Sequence, residues 1–427
     1  MLAGQPATAD RGTAAMSKFY DALETRDPAE RERAQMAALP VQLAHAKANS
    51  PFFADWLKDI DPAAVTSRAA LATLPVLRKS MLGAMQKKAP PMGGMLAVPM
   101  RGVRHIFMSP GPIFEIDTDE ADFFRGARGM HAAGFRADDI VLNTYSYHLT
   151  PAGMMMESSL RAIGCAVIPA GTGNTELQLD AIEAIRPTAY VGTPSFLRIL
   201  LEKAKETGRD VSSITKAVVG AEAFPPPLRK DFNERGIFAL QGYGTADLGS
   251  IAYESEAIEG MILDEGVIVE IVRPGTGDPV AEGEVGEVVV TTFNKAYPLV
   301  RFGTGDLSAI LAGPSPCGRT NARIKGWMGR ADQRTKVKGM FVDPEQVIAV
   351  QKRHPELAKV RLEVDWIDKA DCMTLKAEVA GGGSPDLAKA VEASIQTLCK
   401  VRGGVSFVAP GSLPNDGKVI ADDRKYE

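Results

Sequence analysis

Between about Arg104 and Gly260, short apolar runs alternate with longer amphipathic stretches. DIVLNTY, Asp139 to Tyr145, predicts a buried strand, PAGMMMESSLRAIG a helix closed by Gly164, and CAVIPAG the next strand. ELQLDAIEAIRP predicts a helix ended before Pro187, TAYVGTP a strand, SFLRILLEKAKETG a helix and ITKAVVGAE another strand. Apolar residues at three- and four-residue spacing bury one helix face, whereas short β-branched runs fit a sheet covered on both sides. Strands separated by helices of this length imply parallel pairing with right-handed crossovers.

The flanks have other textures. From Phe19 to about Gln86 the pattern is helical: DPAERERAQMAALPVQLAHAKANSP opens at Asp27-Pro28 and stops at Ser50-Pro51. Lys87 to Pro99, KKAPPMGGMLAVP, predicts a loop, and residues 1 to about 15 predict disorder. Past Gly260, VIVEIVRPGTGDPV and GEVGEVVVTTF predict a small antiparallel sheet or barrel. From Asp332 onward, VRLEVDW and MTLKAEVA predict paired strands, SPDLAKAVEASIQTLCKV a helix opened by Ser384-Pro385, and VSFVAPGSL a last strand and loop. The expected fold class is α/β: a large N-terminal body of mixed and parallel sheets with helices and a small antiparallel β subdomain, then a small mobile α+β C-terminal lid. The expected division is 1–331 (helical lead-in 1–90, α/β core 104–260, β subdomain 261–331) and 332–427.

Composition narrows the function. The 427 residues, 45% hydrophobic and 24% charged, suffice for two or three globular domains. A net charge of -4 with interspersed signs offers no footprint for nucleic acid or an anionic membrane. No run approaches the ~20 apolar residues of a membrane helix, and the N-terminus lacks the pattern of a signal peptide. Cys165, Cys317, Cys372 and Cys399 lie far apart, which argues against a disulfide framework or structural zinc and for a reducing cytoplasm.

Chemistry concentrates in GYGTADLGSIAYES, Gly242 to Ser255, and in VRFGTGDL, Val300 to Leu307. An aromatic ring in a glycine turn, backbone N–H groups and two separated acids suit a nucleotide's base, phosphates, ribose and metal ion. With GTPSFLRILLE, VVGAEAFPPPLRKDF, CGRTNARIKGWMGRADQRTKVKGMFVDPEQV and LPNDGKVIADDR in order, the chain resembles the phenylacetate–CoA ligase family of adenylate-forming enzymes along nearly its whole length. The resemblance implies a carboxylic acid substrate, ATP, Mg2+ and coenzyme A, a two-step reaction through an acyl adenylate, and a homodimer.

Residue by residue, the resemblance implies the following. Tyr243 beside Gly244 and Thr245 stacks on adenine, with Ala221 and Glu222 covering the other face; the alternative for Tyr243 is a core aromatic. Asp247 helps to hold Mg2+, a hard cation that takes oxygen ligands, unless it is a helix cap. Asp306 accepts the ribose hydroxyls with its two oxygens, and Arg330 offers fixed donors to the ribose and phosphate region. Asp332 is the hinge of the lid, Gly339 faces the coenzyme A tunnel, and Lys418 is the catalytic cation that neutralises charge at the reacting phosphorus. The candidate acyl-pocket segments are Tyr145 to His148, Ala221 to Pro225 and Gln241, with Tyr147 and His148 as the named walls and His148 equally a hydrogen-bonded strand-end histidine.

Two departures stand out. The phosphate loop of the family is rich in hydroxyls and glycine and usually carries lysine, but here HIFMSPGPIFEI keeps only Ser109 and Gly111. Pro110 and Pro112 remove N–H donors, and Glu115 stands where lysine is expected, an anion facing an anion. Ala246 replaces the hydroxyl residue before the acid, which is Asp247 rather than Glu. Two other functions therefore stay open beside the ligase: a non-catalytic nucleotide or acyl-adenylate binder, and an adenylating enzyme with an acceptor other than coenzyme A.

Overall fold

The computed structural model describes residues 17–331, 333, 335–337, 340–367 and 370–424. A nine-stranded sheet forms the body. In spatial order its strands are Ile310–Leu311, Arg323–Ile324, Met261–Leu263, Gly249–Tyr253, Phe238–Thr245, Lys216–Val219, Ala189–Gly192, Ile140–Asn143 and Ala166–Pro169. The four strands at the far end from Ile310 pair in parallel with one another and with Phe238–Thr245. On its other side Phe238–Thr245 pairs antiparallel with Gly249–Tyr253, through a bulge at Tyr243/Gly244. Strand direction thus changes at the strand that carries Tyr243, and clefts outside the carboxyl ends of parallel strands are where open α/β sheets bind ligands.

The intervening helices end where the sequence expects. Ala152–Ile163 stops at Gly164, which takes φ 101°, and Pro194–Thr207 stops at Gly208 with φ 71°. Thr193 caps the latter helix by accepting from the Phe196 N–H, and Pro194 fills its first turn, where a missing N–H costs nothing. The helix Pro226–Glu234, behind a run of prolines, was not among the expected elements.

The predicted antiparallel unit is an open four-stranded sheet, not a barrel: Val267–Val272, Gly286–Thr292 and Phe302–Ser308 pair antiparallel in that order. Its fourth strand comes from the helical lead-in. Leu77–Arg78 pairs in parallel with Phe302–Ser308, in register Leu77 to Phe302 and Arg78 to Gly303. The Leu77 N–H donates to the Arg301 carbonyl at 2.9 Å. Arg301, 2% exposed, pairs with Glu270 at 3.0 Å and donates to the carbonyls of Ala72, Leu74 and Gly277. Arg78 pairs with the buried Glu287. A dipeptide strand has too few ladder bonds to dock alone, and these buried charges hold it in place.

The C-terminal residues build a separate core around Leu362, Val364, Leu375, Val391, Ile395 and Ile420. Strands Leu357–Ile367 and Ala370–Val379 pair antiparallel, flanked in parallel by Ile420–Asp422 and Gly404–Val408. Helices Pro344–Arg353 and Pro385–Cys399 contribute to the same core. Among the described residues no helix is long and apolar enough to cross a membrane.

Candidate active site

Three of the predicted residues meet around one carboxylate. The Tyr243 hydroxyl donates to Asp306 Oδ2 at 3.0 Å, and Arg330 Nη1 donates to Oδ1 at 2.9 Å. A fourth, which sequence reasoning passed over, is Trp327: its indole N–H donates to the same Oδ1 at 3.1 Å, although the residue is 55% exposed. Gly305, at φ 74°, makes the approach possible, since a Cβ there would lie 2.7 Å from Arg330 Nη2. Burial, with Asp306 beside it, pushes the Tyr243 phenol well above its ordinary pKa, so it stays protonated and donates.

Tyr243 also lines a cavity of about 260 Å3 that runs into the body. Its walls are mostly apolar, among them Phe124, Met130, Met155, Met156, Leu240 and Tyr253. No lysine or arginine appears among the described residues that line it. At its mouth, backbone replaces side chain. Gly244 packs on the Gly249 carbonyl so closely that a Cβ would come within 2.4 Å of it. Gly220 and Ala221 line the same rim, and Ala221 holds φ 63°, a left-handed conformation that non-glycine residues seldom adopt. Glu222 is exposed beside them, its carbonyl accepting from Gln241. Thr245 lines the cavity and caps the turn, accepting from the Leu248 N–H at 3.2 Å.

Of the candidate acyl-pocket residues, Tyr145, Ala221 and Gln241 line the cavity, and Tyr147 and His148 do not. The Tyr147 hydroxyl accepts from Asn143 at 2.7 Å, and its ring covers Gly153. His148 is exposed on the loop beyond. Thr144 is buried against Tyr190, and of the four residues Tyr145 to His148 it is Tyr145 that lines the cavity.

The expected phosphate loop is a hairpin, His105–Ser109 against Ile113–Asp117, with Pro110, Gly111 and Pro112 at the turn and Ser109 and Pro110 on the cavity wall. Glu115 does not confront the cavity as a bare anion, as the sequence suggested. It is 1% exposed, takes a hydrogen bond from the Ser109 hydroxyl, and burial pushes its pKa up to about 7, only partly offset by that hydrogen bond.

Asp247 also differs from expectation. Its side chain is fully buried, and Lys79 Nζ lies 2.7 Å from Oδ2. Oδ1 is buried with no partner. Mg2+ that arrives with ATP takes one or two protein carboxylates beside phosphate and water oxygens, whereas a metal resident without the nucleotide needs more protein ligands. Here a single carboxylate already faces an ammonium, and no group of three His, Cys, Asp or Glu able to hold a metal occurs among the described residues. The residues present do not fit a resident Mg2+.

Lys418 is not brought to this cavity. It is exposed, in a crevice with Arg273, Glu284 and Val285, and is not among the residues that line the cavity. Neighbouring Asn415 Oδ1 accepts from the Val285 N–H at 3.2 Å. Asp332 and Gly339 lie outside the described residues.

Comparison with known proteins accounts for this arrangement. The family described as AMP-binding enzyme matches residues 121–295. Phenylacetate-coenzyme A ligase of Thermus thermophilus is 31% identical over 385 residues, covering 85% of this chain and 84% of its own. The chain belongs to the phenylacetate–CoA ligase family. The enzyme of that name from Aromatoleum evansii is 29% identical over 426 residues, 92% of this chain and 94% of its own. An open conformation of 2-hydroxyisobutyryl-CoA ligase, solved with 2-HIB-AMP and CoA, superposes with a TM-score of 0.71 at 22% identity over 96% of this chain and 95% of its own, and so shares the fold. The cluster of Tyr243, Asp306 and Arg330 stands at the mouth of the cavity, and Lys79 and Trp327 are the residues that sequence reasoning missed. Trp327 sits in GWMGR, where an aromatic between two glycines was a usable signal. Nothing local to LPVLRKSML marked Lys79.

Proposed function

We propose that the protein is an AMP-forming acid–coenzyme A ligase acting on a compact, mainly apolar carboxylic acid. The observation that carries this reading is the carboxylate of Asp306, ringed by Tyr243, Trp327 and Arg330, at the entrance to an apolar cavity. A carboxylate offers about four lone-pair sites, and three donors already occupy Asp306. A ribose diol needs two sites, so one donor must leave as the nucleotide enters. Trp327, more than half exposed, is the donor that can turn away.

In the first half-reaction a substrate carboxylate oxygen attacks the α-phosphorus of ATP, the acyl–O–P bond forms, and pyrophosphate departs. In the second, the thiolate of coenzyme A attacks the acyl carbonyl and AMP departs. The cavity's apolar wall fits the acyl body and excludes competing water. Arg330 is placed to pass its donors from Asp306 to a ribose or phosphate oxygen. Magnesium would arrive as the counter-ion of ATP rather than reside on Asp247. Residues 332–427 act as the lid, turning at Asp332, so that Lys418 reaches the phosphorus in one position and Gly339 the thiol's path in another.

The test is pyrophosphate release across a panel of aryl and alkyl acids, followed by coenzyme A-dependent AMP release. With the best acid, Lys418→Ala should reduce adenylation by a factor on the order of 100 or more, because charge stabilisation at the phosphorus supplies much of the rate, while AMP binding stays within about tenfold. Absence of acid-dependent pyrophosphate release throughout the panel would overturn the assignment.

A further inference from the structure

The cavity needs positive charge where a triphosphate would lie, yet the turn from Ser109 to Glu115 carries none and, among the described residues, no cation lines the wall. Lys79 is held close to that end by three independent ties. Its ammonium pairs with Asp247, two residues beyond the wall residue Thr245. The strand immediately before it, Leu77–Arg78, pairs with Phe302–Ser308, the strand that carries Asp306. The helix that follows it, Leu82–Lys88, lies on the hairpin: Gln86 exchanges two hydrogen bonds with the Phe114 backbone, and a Cβ on Gly83 would lie 3.6 Å from the Pro112 carbonyl. Lys79 therefore stands where the ribose strand, the Thr245–Asp247 turn and the proline turn converge.

The charge is also available. An ammonium has three donors, and the hydrogen bond the structure gives Lys79 uses one, to Asp247. Its side chain is 28% exposed while that of Asp247 is fully buried, so the pair opens outward on the lysine side. A buried carboxylate behind a half-open ammonium fixes the position of that ammonium, which is the preorganisation that phosphate binding requires.

We propose that Lys79, recruited from the N-terminal lead-in, is the cation that contacts the β- and γ-phosphates of ATP and takes over the role that the proline turn cannot fill. The proposal rests on the ligase reading for its ligand. It assigns to Asp247 the task of holding an ammonium rather than a metal.

The test compares ATP and AMP binding by calorimetry in the full-length protein, with Lys79→Met and Lys79→Arg beside the parent. Loss of one charge-assisted phosphate contact should weaken ATP by about tenfold or more while AMP changes by less than about threefold. Lys79→Arg should recover much of the ATP affinity. Because Lys79→Met strands the buried Asp247 carboxylate, Lys79→Met/Asp247→Asn serves as the control with no orphan charge, and it should show the same selective loss. Equal weakening of ATP and AMP in both variants, or unchanged ATP affinity, would overturn the proposal. Parent protein that binds ATP well but releases pyrophosphate with no acid would sink the ligase reading while leaving this comparison decisive.

Discussion

Glu115 and Tyr243 show how burial fixes protonation around this cavity. A carboxyl raised from 4.5 to about 7 costs stability at every pH where the unfolded chain would ionise it. The folded form holds its proton more tightly than the unfolded form, so the associated stability is complete below about pH 4.5 and is lost as pH rises through 7. The difference corresponds to roughly 3 kcal/mol. Glu115→Gln should therefore match the parent near pH 4.5 and exceed it by up to about 3 kcal/mol at pH 8, measured by urea unfolding. A gap that does not widen between those pH values would show that Glu115 is ionised at no cost. At this scale the sequence was legible wherever a motif is local. Tyr243, Asp306 and Arg330 each sit in a glycine-bounded segment whose spacing carries its own meaning, and the structure gathers them. Within the candidate segment Tyr145 to His148, Tyr145 lines the cavity and Tyr147 and His148 do not, a choice the local chain path makes and composition does not show. Asp247 looked like a metal ligand because its partner lies 168 positions away.

The elements divide in the same way. Helices with a 3.6-residue period and a glycine or proline at the end announced themselves, as Pro194–Thr207 and Ala152–Ile163 show. Leu77–Arg78 could not, since two residues have no period and their pairing partner is 225 positions on. Its place depends on Arg301, which ties the carbonyls of Ala72 and Leu74 to Glu270. Arg301→Leu leaves Glu270 buried without a partner and should cost about 3–5 kcal/mol. Adding Glu270→Leu should recover part of that loss, because the orphan charge is gone while the lead-in carbonyls remain unmet. Equal stability of the single and double variants, read from denaturant midpoints, would deny the pair its role.

For the whole molecule, the lid proposal turns on the distance between Lys418 and the cavity. Asn415 holds the neighbouring turn against Val285. A Val285→Cys/Asn415→Cys cross-link should trap that arrangement, stop pyrophosphate release when oxidised, and restore it on reduction. Full activity in the oxidised form would mean that adenylation does not require the lid to turn. The separate C-terminal core was readable because the texture changes from glycine-punctuated strands to an α+β pattern with its own apolar positions. The orientation of the parts was not, since it is set by a few contacts between surfaces that each look ordinary in sequence.

The parallel pairing of Leu77–Arg78 with the ribose strand has a practical side. Residues 121–295, the stretch matched as an AMP-binding enzyme, omit Lys79 at one end and Asp306 and Arg330 at the other. That stretch is no portable cassette. Grafted elsewhere, it would bring most walls of a pocket and leave behind Lys79, Asp306 and Arg330, the charges on which the proposed hold on a nucleotide depends.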